Sequence, residues 1–222
     1  MVLRASPYID LDSGTVVTPP MVLSRQRSAP RSLDDMLDLF ECRVDVWQLG
    51  PAVQILKQIE TKPSSSVWGH AAYALMGIVF TYFEMIGKSL NPASQSRGTS
   101  KLDFNYGFCD VYPAFDSASG SRADKDLPDV AAFRDRVRNG LYHLGYTKGN
   151  LFIHNAPSLA TDDFFVDRRE PEPKYLVNPH QMTRTIVGHF PSFMGRLRDS
   201  SGQSDDLRSR FRRFFVEFHG LR

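Results

Sequence analysis

Cysteine is almost missing from this chain: Cys42 and Cys109 are the only two in 222 residues. They fit no zinc-ligand spacing and no disulfide framework, so a reducing, cytoplasmic setting is expected. Lysine is scarce too, 7 against 20 arginines, and 27 basic residues face 25 acidic ones for a net charge of +2. That balance excludes a protein that coats DNA with a uniformly basic surface, while the arginine bias keeps local phosphate binding open. Long apolar runs are also absent. The longest, AAYALMGIVFTYF from Ala71 to Phe83, has 13 residues between His70 and Glu84. As a helix it covers about 20 Å, short of the roughly 30 Å hydrocarbon core, so no membrane partner is expected. The opening MVLRASPYIDLDSG has no apolar signal-peptide core and carries Asp10 and Asp12, which a transit peptide avoids. There is no phosphate-binding glycine loop, no HExxH and no carboxylate cluster at metal spacing, so neither cofactor nor metal is expected.

What is present reads as one domain of ordinary globular composition, 41% hydrophobic and 23% charged, large enough for a real core. Residues 1–31 mix Pro, Ser, Thr and Arg without an apolar period and read as a flexible leader. Ser32, with Asp34 and Asp35 behind it, is an N-cap with an acidic first turn. Leu33, Leu37, Phe40, Val44 and Trp47 then recur at helical spacing. This helix is expected over 32–49, stopping near Gly50-Pro51, with a short second helix from Pro51 to about Thr61. A third, about 67–90, is apolar nearly all round and belongs at the centre of a bundle. Residues 93–128 read as an irregular or partly helical excursion packed by its aromatics. A fourth helix follows over 129–144. LFIH, DFFVD and KYLV then give short strands confined to about 150–177, a small β-hairpin or three-stranded insertion. Asn178-Pro179 opens a fifth helix to about Leu197, with a break at Gly188 or Pro191, and a last helix spans 205–219. The fold class is mainly α, a helical bundle with a small β insertion, over residues 32–222.

The chemistry concentrates in RDRVRNGLYHLGYTKGN, 134–150. Arg138, Asn139, Tyr142 and His143 lie there at a helix end before a glycine-containing turn. An imidazole titrating near neutrality can move a proton at physiological pH. A guanidinium can hold a phosphate and stabilise charge developing on it. The spacing recurs elsewhere: Arg184 precedes His189 with four residues between, and Arg212 and Arg213 precede His219 with six and five. The first pair is set apart by the adjacent Asn139, its place after the apolar helix, and the Gly-Tyr-Thr-Lys-Gly turn. On a regular helix Arg138 and His143 differ by about 140°, so their convergence needs the arginine to bend round or the helix to loosen near Gly140.

Arg138-Asn139-Gly140-Leu141-Tyr142-His143 resembles the signature of the HEPN superfamily: an arginine, four to six residues, then a histidine, often with a polar residue after the arginine. The resemblance covers about residues 32–198, with specific letters only in 134–150. It implies a HEPN-like helical bundle and a metal-independent endoribonuclease of a toxin–antitoxin or antiviral defence setting, with RNA as substrate and an antitoxin-like protein as partner. It implies Arg138 and His143 as catalytic residues acting from the two protomers of a homodimer, with Asn139, Arg134 and Tyr142 as substrate contacts. The superfamily also includes members without demonstrated catalysis, so a silent module binding a nucleotide, RNA or protein is the alternative. The other candidates each have a plainer reading. Glu84 can orient the motif or be a solvated helix-end carboxylate. His70 can cap its helix, and His154 can approach the cleft. Arg134 and Arg136 can extend a phosphate track or form an ordinary solvated face. The last helix, RSRFRRFFVEFHG, is either a core or dimer helix or an RNA-facing basic strip.

Overall fold

The computed structural model describes residues 8–10, 15–17, 32–61, 71–92, 100–115, 133–134, 136, 151–153, 163–167 and 174–218. Among them the protein is mainly α. In chain order the elements are β1 (Tyr8–Asp10), β2 (Thr15–Val17), α1 (Leu33–Arg43), a π-helical turn (Val44–Leu49), α2 (Gly50–Thr61), α3 (Ala71–Leu90), α4 (Ser100–Val111), a 3-10 turn (Pro113–Phe115), β3 (Leu151–Ile153), β4 (Phe164–Asp167), β5 (Lys174–Val177), α5 (Pro179–Arg198) and α6 (Asp205–Phe218).

The start of α1 follows from its sequence. The Ser32 hydroxyl accepts from the Asp35 backbone N–H at 3.0 Å, and the Asp35 carboxylate accepts from the Ser32 N–H at 3.2 Å. This reciprocal cap satisfies two donors the helix leaves open and contributes about 1 kcal/mol. The expected stop at Gly50-Pro51 does not occur. The helix runs on through the π-helical turn into α2, with the Gly50 N–H reaching back five residues to the Asp45 carbonyl. A proline ring clashes with the carbonyl four residues earlier in a regular helix. The wider π turn makes room for Pro51, so the proline changes the winding rather than ending the helix.

Helix α3 is the centre, as its all-round apolarity predicts. Leu75, Met76, Val79, Phe80, Tyr82, Phe83 and Ile86 are all buried. Along one side α2 packs Ala52, Leu56 and Ile59 against Leu75. Along another, α4 lies almost backbone to backbone. A Cβ on Gly107 would sit 1.9 Å from the Phe83 carbonyl oxygen, and one on Gly87 would sit 1.6 Å from that of Asp103. Only the absence of side chains at both positions permits this crossing. The approach brings Phe104 and Phe108 into edge and tilted contact with Phe80, Phe83 and Phe133, at ring separations from 5.1 to 5.6 Å, geometries aromatic quadrupoles favour. The partly helical excursion expected at 93–128 is therefore a regular helix over Ser100–Val111. Asp103, Asn105 and Gly107 depress its intrinsic propensity, and tertiary packing overrides that.

Helix α5 begins as expected, with Asn178 Oδ1 accepting from the Gln181 N–H at 3.2 Å and Pro179 in the first turn. It does not break at Gly188 or Pro191. Pro191 is exposed on the solvent side, where the carbonyl it leaves without a donor can be hydrated. Helix α6 seats Phe211 on Phe40 of α1 at 5.1 Å.

The β insertion is a three-stranded sheet in the order β3-β5-β4, with β4 antiparallel and β3 parallel to the central β5. The backbone N–H of Asn178 donates to the Asp163 carbonyl at 2.9 Å, tying the sheet to the start of α5. Strands are not confined to 150–177. β1 and β2 pair antiparallel with Tyr8 opposite Val17, so the expected leader contains a hairpin. Its two runs, YID and TVV, are β-prone and flank Ser13-Gly14, turn chemistry that a search for helical periods overlooks.

Candidate functional site

The motif segment is described at its beginning. Phe133 and Arg134 are helical, and Phe133 is buried among Phe80 and Phe108. Arg134 is only 7% exposed. Its Nη2 donates to the Ser100 hydroxyl at 2.9 Å and lies 3.6 Å from the Glu84 carboxylate. This residue, expected to contact substrate, is thus buried between α3 and α4. Glu84 is correspondingly no solvated helix end: its side chain is 17% exposed and pairs with Arg134. Arg138, Asn139, Tyr142 and His143 lie outside the described residues, as do His70, His154, His219 and, apart from Phe133, Arg134 and Arg136, the helix expected over 129–144.

The second arginine–histidine match is fully described, and its two members face different parts of the bundle. Arg184 is bonded to Glu60 of α2 and donates to Gln181 at 3.3 Å. His189 points between α3 and α4. Its Nδ1 lies 2.8 Å from the Tyr82 hydroxyl and its Nε2 lies 3.0 Å from Asp110 Oδ2. Arg196, two turns further along α5, forks onto the same Asp110 carboxylate, with Nη1 at 2.9 Å from Oδ1, and its guanidinium carbon sits 5.4 Å above the Phe193 ring.

The protonation states follow from this geometry. Burial alone would raise the Asp110 carboxyl, but hydrogen bonds from His189 and Arg196, together with the guanidinium charge, outweigh it and hold the group below the ordinary carboxylate range. Asp110 is therefore an acceptor only. Burial, reinforced by the Asp110 charge, pushes the Tyr82 phenol far above its usual value, so it stays protonated. With Asp110 accepting from Nε2–H, Nδ1 shares a second hydrogen bond with the Tyr82 hydroxyl. Both ring nitrogens are then engaged and Tyr82 is wholly buried. The members of the cluster are engaged with one another. The cluster is a brace joining α3, α4 and α5 through charge-assisted hydrogen bonds.

Nothing periodic in the sequence marks this brace. Tyr82 is one apolar-helix residue among many, and Asp110 sits in a segment read as irregular or partly helical. His189 carried a signal only as a second motif match, which turns out to be structural. Among the described residues, no group of His, Cys, Asp and Glu could hold a metal ion, and no helix is long and apolar enough to cross a membrane. No protein-family model, curated protein or solved structure matches the chain.

Proposed function

We propose that the protein is a metal-independent endoribonuclease of HEPN type, with Arg138 and His143 as its reacting residues. The observation that carries this reading is the anchoring of the segment leading into the motif. Phe133 is locked in the aromatic core and Arg134 is held by Glu84 and Ser100, four residues before Arg138. A rigid support immediately upstream is what a precisely held catalytic pair requires. The engagement of Arg184 by Glu60 and of His189 by Asp110 supports choosing Arg138 and His143 over that second match.

In the proposed reaction the 2′-oxygen of a ribose attacks the adjacent phosphorus and the 5′-oxygen of the next nucleotide leaves, giving a 2′,3′-cyclic phosphate and a 5′-hydroxyl. His143 takes the 2′-hydroxyl proton or protonates the leaving oxygen, and Arg138 holds the phosphate as charge builds on it. Cleavage needs a proton removed at one oxygen and supplied at another. A twofold dimer brings two histidines to one cleft and meets that need. The setting proposed is toxin-like or antiviral, in the cytoplasm, with an antitoxin-like protein as partner.

The test is cleavage of labelled single-stranded RNA by purified protein in EDTA, alongside His143→Ala and Arg138→Ala. Activity lost in both variants, with the fold retained by circular dichroism, is the expected result. Cleavage that persists in both overturns the assignment, and RNA bound but never cut by the wild type favours the silent module. Light scattering across the same concentration series tests the shared site, since a monomer at full specific activity overturns it.

A further inference from the structure

Every described arginine outside α6 is engaged. Arg134 pairs with Glu84, Arg184 with Glu60, Arg196 with Asp110, and Arg198 with Asp38 and Glu41, while Arg43 and Arg136 also make contacts. On α6, Arg208 lies 3.6 Å from Asp205 of its own first turn. Among the described residues, Arg210, Arg212 and Arg213 have no ion pair or hydrogen bond. Three guanidinium groups within four residues are left without a carboxylate among the described residues, while Arg134, Arg184, Arg196, Arg198 and Arg208 each have one.

Their placement on the helix is specific. Leu207, Phe211 and Phe215 are buried and define the inward face. At about 100° per residue, Arg213 falls roughly 20° from the direction opposite that face, and Arg212 and Arg210 fall about 80° to either side of it. Ser209, also exposed, lies between Arg212 and Arg213. The acidic residues of α6 stand at its ends, Asp205 and Asp206 in the first turn and Glu217 in the last. Glu217 follows Arg213 by four residues, the order in which such pairs are weaker. By the same arithmetic Asp205, Asp206 and Glu217 share this outer arc, displaced toward the two ends of the helix, and Asp206 precedes Arg210 by four residues, yet Arg210, Arg212 and Arg213 make no ion pair among the described residues.

We infer that the outer face of α6 is a docking surface for the phosphate backbone of single-stranded RNA, with Arg210, Arg212 and Arg213 each neutralising a phosphate. Arginine suits this work because its planar fork binds phosphate oxygens in pairs. The choice of RNA over other polyanions rests on the proposed endoribonuclease reading, but the surface is tested by binding rather than by cutting.

The experiment measures fluorescence anisotropy of a labelled 20-nucleotide RNA with the full-length His143→Ala protein from 50 to 300 mM KCl. The triple substitution Arg210→Ala/Arg212→Ala/Arg213→Ala should weaken binding at least tenfold. It should also reduce the slope of log affinity against log salt by about 2, roughly 0.7 per lost single-strand phosphate contact. Because Arg210 is half-buried, the double Arg212→Ala/Arg213→Ala variant guards against misfolding and should lower the slope by about 1.4. The triple Lys variant should keep most of the slope. An unchanged affinity and slope in both Ala variants overturns the surface. So does the absence of RNA binding in the parent, including the case in which anionic phosphatidylserine vesicles are bound instead. Failure of wild-type cleavage with these binding results intact would overturn the nuclease reading alone.

Discussion

Helices α5 and α6 are consecutive and both rich in arginine, yet they use it in opposite ways. The arginines of α5 reach three other helices: Arg184 to Glu60 of α2, Arg196 to Asp110 of α4, and Arg198 to Asp38 and Glu41 of α1. Among the described residues, the ion pair made by those of α6 stays within their own first turn. Arginine content is therefore no guide to a nucleic-acid face. What separates a brace from a docking surface is whether neighbouring helices present carboxylates, and this can be read only once the helices are assembled.

The contrast depends on α4 holding Asp110 beneath α5, so the strongest way to break it is to move α4. Gly107→Val would thrust a branched side chain into the Phe83 carbonyl, where even a Cβ would sit at 1.9 Å. It should cost about 3 kcal/mol or more and carry Asp110 out of register. A lowered urea midpoint checks this, with Gly77→Ala as the internal control. Nothing lies within 4 Å of a Cβ at Gly77, so that change in mid-helix should stabilise by about 0.5–1 kcal/mol. Next in size is Asp110→Ala, which strips His189 and Arg196 of their shared acceptor. The expected cost is about 2–3 kcal/mol by chemical denaturation. An unchanged midpoint would mean that the brace contributes nothing.

The helical frame was legible because its signals are local. Ser32 and Asp35 announce α1, Asn178-Pro179 announces α5, and the all-round apolarity of 71–90 identifies the central helix. The misreadings came from residues whose usual meaning is overridden by their surroundings. Pro51 is absorbed by a widened turn, and Pro191 faces water. The brace was not legible because its members come from three separate helices and no spacing connects them. The candidate site shows the same division. Arg134 looked like one more basic residue on a phosphate track, and only the proximity of Glu84 and Ser100 makes it a buried anchor.

Acid should sharpen the comparison further. Because the folded-state pKa of Asp110 lies below its unfolded value of 3.8, its contribution is complete above that value. It is lost as pH falls through the folded pKa. Asp110→Asn should flatten the stability decline below about pH 4 relative to the wild type, measured by denaturant midpoints from pH 2.5 to 6. Parallel curves for the two proteins would remove Asp110 as the source. Smaller again is Arg198→Ala. Its two carboxylate contacts at 2.8 and 2.7 Å are partly exposed, which limits the loss to about 1 kcal/mol, shrinking in high salt.

The smallest expected effect is the one that decides between the two helices. Arg212 and Arg213 are exposed and make no ion pair among the described residues, so replacing both with alanine removes no tertiary contact. Alanine is also the better helix former. Their mutual repulsion, together with that of Arg208 and Arg210 nearby, is relieved in the same step. Stability should therefore change by no more than about 0.5 kcal/mol, in the favourable direction if at all. Raising the salt should close whatever gap appears, because the wild-type repulsion is screened. Thermal melts of wild type and double variant at 20 and 300 mM KCl test this. A loss of 1 kcal/mol or more at both salts would mean that these arginines brace the fold as those of α5 do, and the distinction between the two helices would collapse.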